Sequence, residues 1–265
     1  MTSPICQRVS PLVSFDTLDL DSVLLRAVAE QGFVRPTTIQ QQVIPAAMDG
    51  RDILASAPTG TGKTAAFLLP TMQHLLDFPR RRAGAARVLI LPPTRELALQ
   101  ITEHARALAV HTHLVIETII GGVEHDKQLP ALTETTDIIV ATPGRLMEYI
   151  EAESFDSRAI EILILDEADR MLDMGFIGEV DRIVAEARWR RQTMLFSATL
   201  EGTGLVKFAN EVLKDPVELN AESPRSERRK IQQLMYLADS PEHKFALLCH
   251  LLRSDDVKRS ILFVK

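Results

Sequence analysis

"DILASAPTGTGKTAAFLLP", residues 52–70, joins a short apolar run to an amphipathic one through a loop of glycine and threonine. Read as strand, turn and helix, it has the form of a phosphate-binding loop, in which glycines turn backbone N–H groups inward and a helix start adds partial positive charge. The spacing G-x-x-x-x-G-K-[ST] ends correctly on Gly62, Lys63 and Thr64, but the residue in the first glycine's place is Ala57. That departure leaves three readings: a damaged site, an accident, or a loop of a particular kind. The buried strand before it and the helix "KTAAFLLPTMQHLL" after it argue against accident. In such a loop Gly60 and Gly62 free the backbone, Lys63 reaches the terminal phosphates, and the Thr64 hydroxyl is a ligand for Mg²⁺.

Working outward, continuously apolar runs alternate with amphipathic ones. Strands are predicted at "DILASA", "RVLILP", "LVIETII", "DIIVAT", "EILILD" and "QTMLFSA", and helices at "SVLLRAVAEQG", "TTIQQQVIPAAMDG", "TRELALQITEHARALAVH" and "GRLMEYIEAE". Strands that are apolar throughout, rather than alternating, belong to a sheet covered on both faces, and strand–helix alternation makes that sheet parallel. Residues 15–220 are therefore expected to form one doubly wound α/β domain, after a loose, proline-punctuated N-terminus over 1–14. Residues 221–230 read as a linker. From 231 a strand-like "IQQLMYLA", a helix-like "PEHKFALLCHLL" and a strand-like "SILFV" read as the start of a second α/β domain that is cut off at 265.

Composition agrees with a cytoplasmic globular protein. The chain has 265 residues, 46% hydrophobic and 25% charged, with only 5% aromatic, so the core is expected to be aliphatic. The formal net charge of −6 gives no global attraction to nucleic acid, so any such surface has to be local. Cys6 and Cys249 lie far apart without metal-ligand spacing and read as free thiols. No apolar run approaches the ~20 residues of a membrane span, and the N-terminus has no signal-peptide core. The seven histidines form no ligand constellation.

A Mg²⁺–phosphate site needs an acidic anchor at the end of a neighbouring strand. "EILILDEAD" supplies Asp166, Glu167 and Asp169 after four apolar residues. Asp166 is placed to hold the hydration shell of Mg²⁺, and Glu167 to polarise an attacking water. Alone, these acids would read as the acidic first turn of a helix; beside a phosphate loop they read as its partner.

"APTGTGKT" (57–64), "PTREL" (93–97), "GG" (121–122), "TPGR" (142–145), "DEAD" (166–169) and "SAT" (197–199) follow one another in an order that resembles the N-terminal RecA-like domain of a DEAD-box RNA helicase. In that family alanine opens the phosphate loop, so Ala57, Pro58, Thr59, Gly60, Thr61, Gly62, Lys63 and Thr64 make an intact one. "GFVRPTTIQ" (32–40) resembles the family's adenine-reading motif. There Gln40 offers a donor and an acceptor in one amide, Phe33 stacks on the base, and Phe15 matches an isolated upstream aromatic. N-K-x-D, the mark of a GTPase, is not found.

The resemblance implies that Pro93, Thr94, Arg95, Gly121, Gly122, Thr142, Pro143, Gly144 and Arg145 line an RNA path, reading phosphates and 2′-hydroxyls rather than sequence. It also implies that Ser197 and Thr199 hydrogen-bond Asp169 and tie the nucleotide site to the RNA face. ATP and Mg²⁺ are the implied cofactors, RNA the implied partner, and RNA-dependent ATP hydrolysis with unwinding of short duplexes the implied activity. "HLLDFPRR", "FDSRAIEILILDEADRMLDMGF" and "RWRRQTMLFSATLEG" are most similar to the bacterial SrmB-type branch of the family, which implies large-ribosomal-subunit assembly, with ribosomal RNA and ribosomal proteins as partners. The family's arginine-finger motif H-R-x-G-R-x-x-R does not occur, so the chain is expected to be a near-inactive fragment on its own. The basic runs at 80–82 and 225–230 read as solvated loops.

Overall fold

The computed structural model describes residues 14–80, 83–200, 202–221, 234–254 and 257–263. The chain divides into Met1–Ser223 and Pro224–Lys265. In the first unit the strands are β1 (Ile53–Ser56), β2 (Val88–Leu91), β3 (Ile116–Ile119), β4 (Ile138–Ala141), β5 (Ile162–Leu165), β6 (Gln192–Ser197) and β7 (Val217–Asn220). Its helices are α1 (Ser22–Glu30), α2 (Thr38–Met48), α3 (Lys63–Asp77), α4 (Arg95–Leu108), α5 (His125–Thr133), α6 (Pro143–Glu151), α7 (Ala168–Asp173), α8 (Ile177–Glu186) and α9 (Thr203–Val212). All strand pairs are parallel, in the order β3-β4-β2-β5-β6-β1-β7.

Each central strand sends alternate residues to opposite faces. Val88 and Ile90 join Ile53, Ile164 and Phe196 beneath α1–α4, whereas Leu89 and Leu91 join Leu163, Leu165 and Leu195 beneath α6–α9. Double coverage is why these strands are apolar at every position. The six predicted strands are all present. β7 escaped prediction because it is an edge strand whose residues alternate between half-buried and exposed, leaving no apolar run.

Register is locked at the amino ends by acids that precede the apolar runs. The Asp52 carboxylate accepts the N–H groups of Thr193 at 2.7 Å and Lys214 at 2.7 Å, and Asp137 accepts that of Val115 at 2.9 Å. Glu161 receives Arg87 through Nε at 2.7 Å and Nη2 at 3.0 Å, with His74 Nε2 at 2.8 Å. Burial alone would raise the Glu161 carboxyl, but hydrogen bonds from Arg87 and His74 outweigh it and hold the group below its ordinary value. Such fixed amino ends leave the loops at the carboxyl ends to carry chemistry.

In the second unit the predicted helix is present as α10 (Pro241–Leu252), begun by Ser240, whose hydroxyl accepts the His243 N–H. The strand-like readings at 231–238 and 260–264 are corrected where residues are described: 234–238 and 260–263 carry no strand. A strand exists only where a neighbour takes its N–H and C=O groups, and β propensity cannot supply that neighbour. Met235 and Phe263 are each 91% exposed. Cys249 is a free thiol, and Cys6 lies outside the described residues. Of the basic runs, Arg80 is no solvated residue: it pairs with Asp137 at 3.0 Å and donates to Thr136 O. Residues 81–82 and 225–230 lie outside the described set. No helix among the described residues is long and apolar enough to cross a membrane.

Candidate nucleotide and nucleic-acid sites

Two cavities open at the carboxyl edge of the sheet. The larger, about 670 Å³, gathers Phe33, Thr37 and Gln40 from the α1–α2 connection and the start of α2, Thr59, Gly60, Gly62, Lys63 and Thr64 from the loop after β1, and Asp166 and Glu167 after β5. Gly60 (φ +84°) and Gly62 (φ +91°) are left-handed, as an inward-turned loop requires. Gly62 has a second constraint, because a Cβ there would lie 2.5 Å from Gln40 Nε2.

Gln40 is buried and its amide is already employed. Its Oε1 accepts the Thr37 N–H at 2.9 Å, completing a capping box with Thr37, and its Nε2 donates to Gly62 O at 3.1 Å. The amide therefore braces the phosphate loop; recognising adenine would use its second N–H or exchange these partners. Phe33 is 41% exposed on the wall of the same cavity. Phe15 is not part of it. That ring is buried in the core beneath α1–α4 and lines a separate hollow that shares Phe33, so it backs the α1–α2 loop instead.

Lys63 is buried, and its ammonium donates to Ala57 O at 2.9 Å within its own loop. Asp166 is buried at the end of β5. Burial pushes its carboxyl up to about 6, an effect opposed by the nearby Lys63 charge. Glu167 has a left-handed backbone (φ 52°), uncommon for a residue with a Cβ. Its carboxylate accepts Arg170 Nη1 at 2.7 Å, which occupies the group expected to act on water. Asp169 corrects the expected tie to Ser197 and Thr199: its Oδ2 accepts the Ala198 N–H at 3.2 Å, while Ser197 Oγ donates to Thr199 O. The link between the two segments runs through backbone because the buried Ser197 side chain folds onto its own turn.

The second cavity, about 460 Å³, is lined by Pro93, Thr94, Arg95, Gly121, Thr142, Gly144 and Arg145. Thr94 caps α4 by accepting the Leu97 N–H at 3.2 Å, and Pro143 opens α6. The Arg95 guanidinium lies on Gly121–Gly122 so closely that a Cβ on Gly122 would meet Nη1. Arg145 is 9% exposed, and its Nε and Nη1 have no hydrogen-bond partner among the described residues. Nε lies 3.2 Å from Glu148 Oε2, within ion-pair range but without hydrogen-bond geometry. Met174, 48% exposed, and Phe176 add an apolar wall. Sequence reasoning missed them, although "DMGF", with left-handed Gly175 turning the chain, was the available signal.

A parallel α/β sheet with a glycine-rich loop running into a helix, and an acid at a neighbouring strand end, defines a P-loop nucleotide-binding protein. The family profile of DEAD/DEAH box helicases matches residues 37–208, and the chain belongs to that family. It is 58% identical over 254 residues to the ATP-dependent RNA helicase SrmB of Escherichia coli, covering 96% of this chain and 57% of that protein. Its identity to the Haemophilus influenzae protein of the same name is 55%, covering 96% and 58%. The chain thus spans little more than half the length of these relatives. A solved DEAD box protein from Methanococcus jannaschii matches with a TM-score of 0.73 at 33% identity, over 92% of this chain and 64% of that one.

Proposed function

We propose that the protein is an RNA-dependent ATPase that unwinds short RNA duplexes. The observation that carries this reading is the placement of two cavities on one sheet edge. One joins Gln40, Lys63, Thr64, Asp166 and Glu167, and the other holds Arg145, whose Nε and Nη1 have no hydrogen-bond partner among the described residues. The inward N–H groups of Gly60–Thr64 and the Lys63 ammonium bind the phosphates once Lys63 leaves Ala57 O. Thr64 and Asp166 fit Mg²⁺: a hydroxyl and a buried carboxylate on the wall of one cavity are hard oxygen donors that leave room for water. When bound, Mg²⁺ neutralises charge on the phosphates. Glu167 orients the attacking water and accepts its proton after Arg170 releases it. Arg95, Arg145 and the N–H groups at the starts of α4 and α6 hold RNA phosphates without reading bases.

The likeness of the non-catalytic stretches to the SrmB type supports a role on ribosomal RNA, alongside ribosomal proteins, in cytoplasmic large-subunit assembly. Because no arginine-finger motif occurs in these residues, the 265-residue chain alone is expected to turn ATP over at near-background rates. The test is Glu167→Gln in a longer protein that carries that motif. Nucleotide binding should persist while RNA-stimulated hydrolysis disappears; wild-type turnover would remove Glu167 from the role of base.

A further inference from the structure

The loop between α8 and β6 carries Arg188, Trp189, Arg190 and Arg191, and Trp189 is the chain's one tryptophan. Trp189 is 64% exposed, an unusual placement for a ring whose burial would remove so much apolar surface from water. Arg190 holds the loop in place. Its guanidinium donates to Thr193 Oγ1 at 2.7 Å, Val184 O at 2.9 Å and Val212 O at 3.2 Å. Arg188 and Arg191 are exposed, and the guanidinium of Arg188 lies 5.4 Å from the Trp189 ring centroid.

Beside this loop a hollow of about 200 Å³ sits among the amino ends of β1, β6 and β7, lined by Arg51, Arg191 and Lys214. Its acids are already engaged. Asp52 accepts the two backbone N–H groups described above, and Asp215 pairs with Arg51 at 3.3 Å. Glu186, at the end of α8, is the exposed acid nearest in sequence to the arginines, and Asp215, exposed beside Lys214, is the nearest to that lysine. Arg188, Arg191 and Lys214 enter no ion pair among the described residues, in a chain whose net charge is −6. This edge is the one opposite the two cavities, separated from them by strands of four to six residues, roughly 13–20 Å.

We infer that this edge is a second contact for single-stranded RNA. Trp189 gives a base a face to stack on, and Arg188, Arg191 and Lys214 take the adjoining phosphates, the combination by which single strands are held without sequence preference. Trp and Arg also occur at protein interfaces, but cations without ion-pair partners among the described residues, in a chain of net charge −6, match a phosphate backbone better than a protein surface. The inference rests on the reading that the protein acts on RNA, and adds to it a site that the helicase motifs do not include.

Because Trp189 is the chain's one tryptophan, its emission reports this edge alone. A 20-nucleotide single-stranded RNA, labelled for anisotropy, is titrated into the 265-residue chain while tryptophan emission is followed. Saturable quenching is expected, in parallel with the anisotropy. Trp189→Ala should weaken binding at least about 5-fold, the lower end for loss of a stacked base. Arg188→Ala with Arg191→Ala should abolish quenching and flatten the dependence of log K on log salt by about 1.4, the loss of two phosphate contacts. Binding of a fluorescent ATP analogue should not change in either variant. RNA binding without quenching, and of wild-type strength in both variants, would overturn the inference and leave the proposed function standing. No RNA binding at all would overturn both. Quenching by a protein and not by RNA would assign the edge to a protein partner and overturn the inference alone.

Discussion

Arg145 puts function and stability in opposition. Its side chain is 9% exposed, with two nitrogens lacking hydrogen-bond partners among the described residues. An unsatisfied buried donor costs about 1–3 kcal/mol. Methionine has similar length, no polar hydrogen and enough flexibility to fill the same volume. Taking about 1–2 kcal/mol for each of the two nitrogens, because the side chain keeps some exposure, Arg145→Met removes about 2–4 kcal/mol of penalty. It also loses the attraction to Glu148 across 3.2 Å, which is half-exposed and weakened by poor geometry, so about 0.5–1 kcal/mol is a fair deduction. The net expectation is a more stable protein by about 2 kcal/mol, a rise in Tm of roughly 4–8 °C for a domain of this size. RNA affinity should fall about 10- to 100-fold as a charged hydrogen bond to phosphate is lost. Thermal unfolding and RNA anisotropy on the same preparations read both effects. A variant less stable than the parent, with unchanged RNA affinity, would refute the argument that Arg145 is held unsatisfied for a ligand.

Gly62→Ala should cost about 2–3 kcal/mol, since it combines a left-handed backbone with a Cβ driven into Gln40 Nε2; urea melts checking this should also show nucleotide binding lost, and a neutral result would mean the loop has room that the structure denies it. Gln40→Ala removes the capping-box and phosphate-loop bonds at once, so stability should fall by about 1–2 kcal/mol and the preference for ATP over GTP should relax; stability lost with discrimination intact would make the amide purely a brace. Arg87→Ala tests the amino edge. Glu161 is lowered in the folded state, so its contribution is present above the ordinary carboxylate value of 4.5 and disappears as pH falls through the folded value. The variant should thus lose about 1–2 kcal/mol at pH 7, after allowance for partial exposure, and approach the parent in strong acid; a deficit independent of pH would show that packing, not charge, is lost.

The sequence determined the parts of this protein whose information is local. A strand running through Gly60 and Gly62 into a helix begun by Lys63 needs only chain-neighbour geometry, and so does an acid closing "EILIL". That is why the double-covered sheet, and the two segments that come together on the wall of the larger cavity, were legible in the sequence alone. β7 was not, since an edge strand buries little and leaves no apolar run. Tertiary structure decided where groups far apart in the chain meet. Strand order places β6 between β5 and β1, which brings Asp169 to the backbone of Ala198 rather than to the hydroxyls on either side. β4 lies between β2 and β3, so Arg95 after β2 reaches across to Gly121–Gly122 after β3. The same is true of Phe15, whose aromatic ring the core claims because burying it against aliphatic side chains is favourable wherever the chain allows it. Patterns of residue type specify elements and their chemistry; which side chain satisfies which partner is set by crossover connections, and these bring together groups that no sequence window contains.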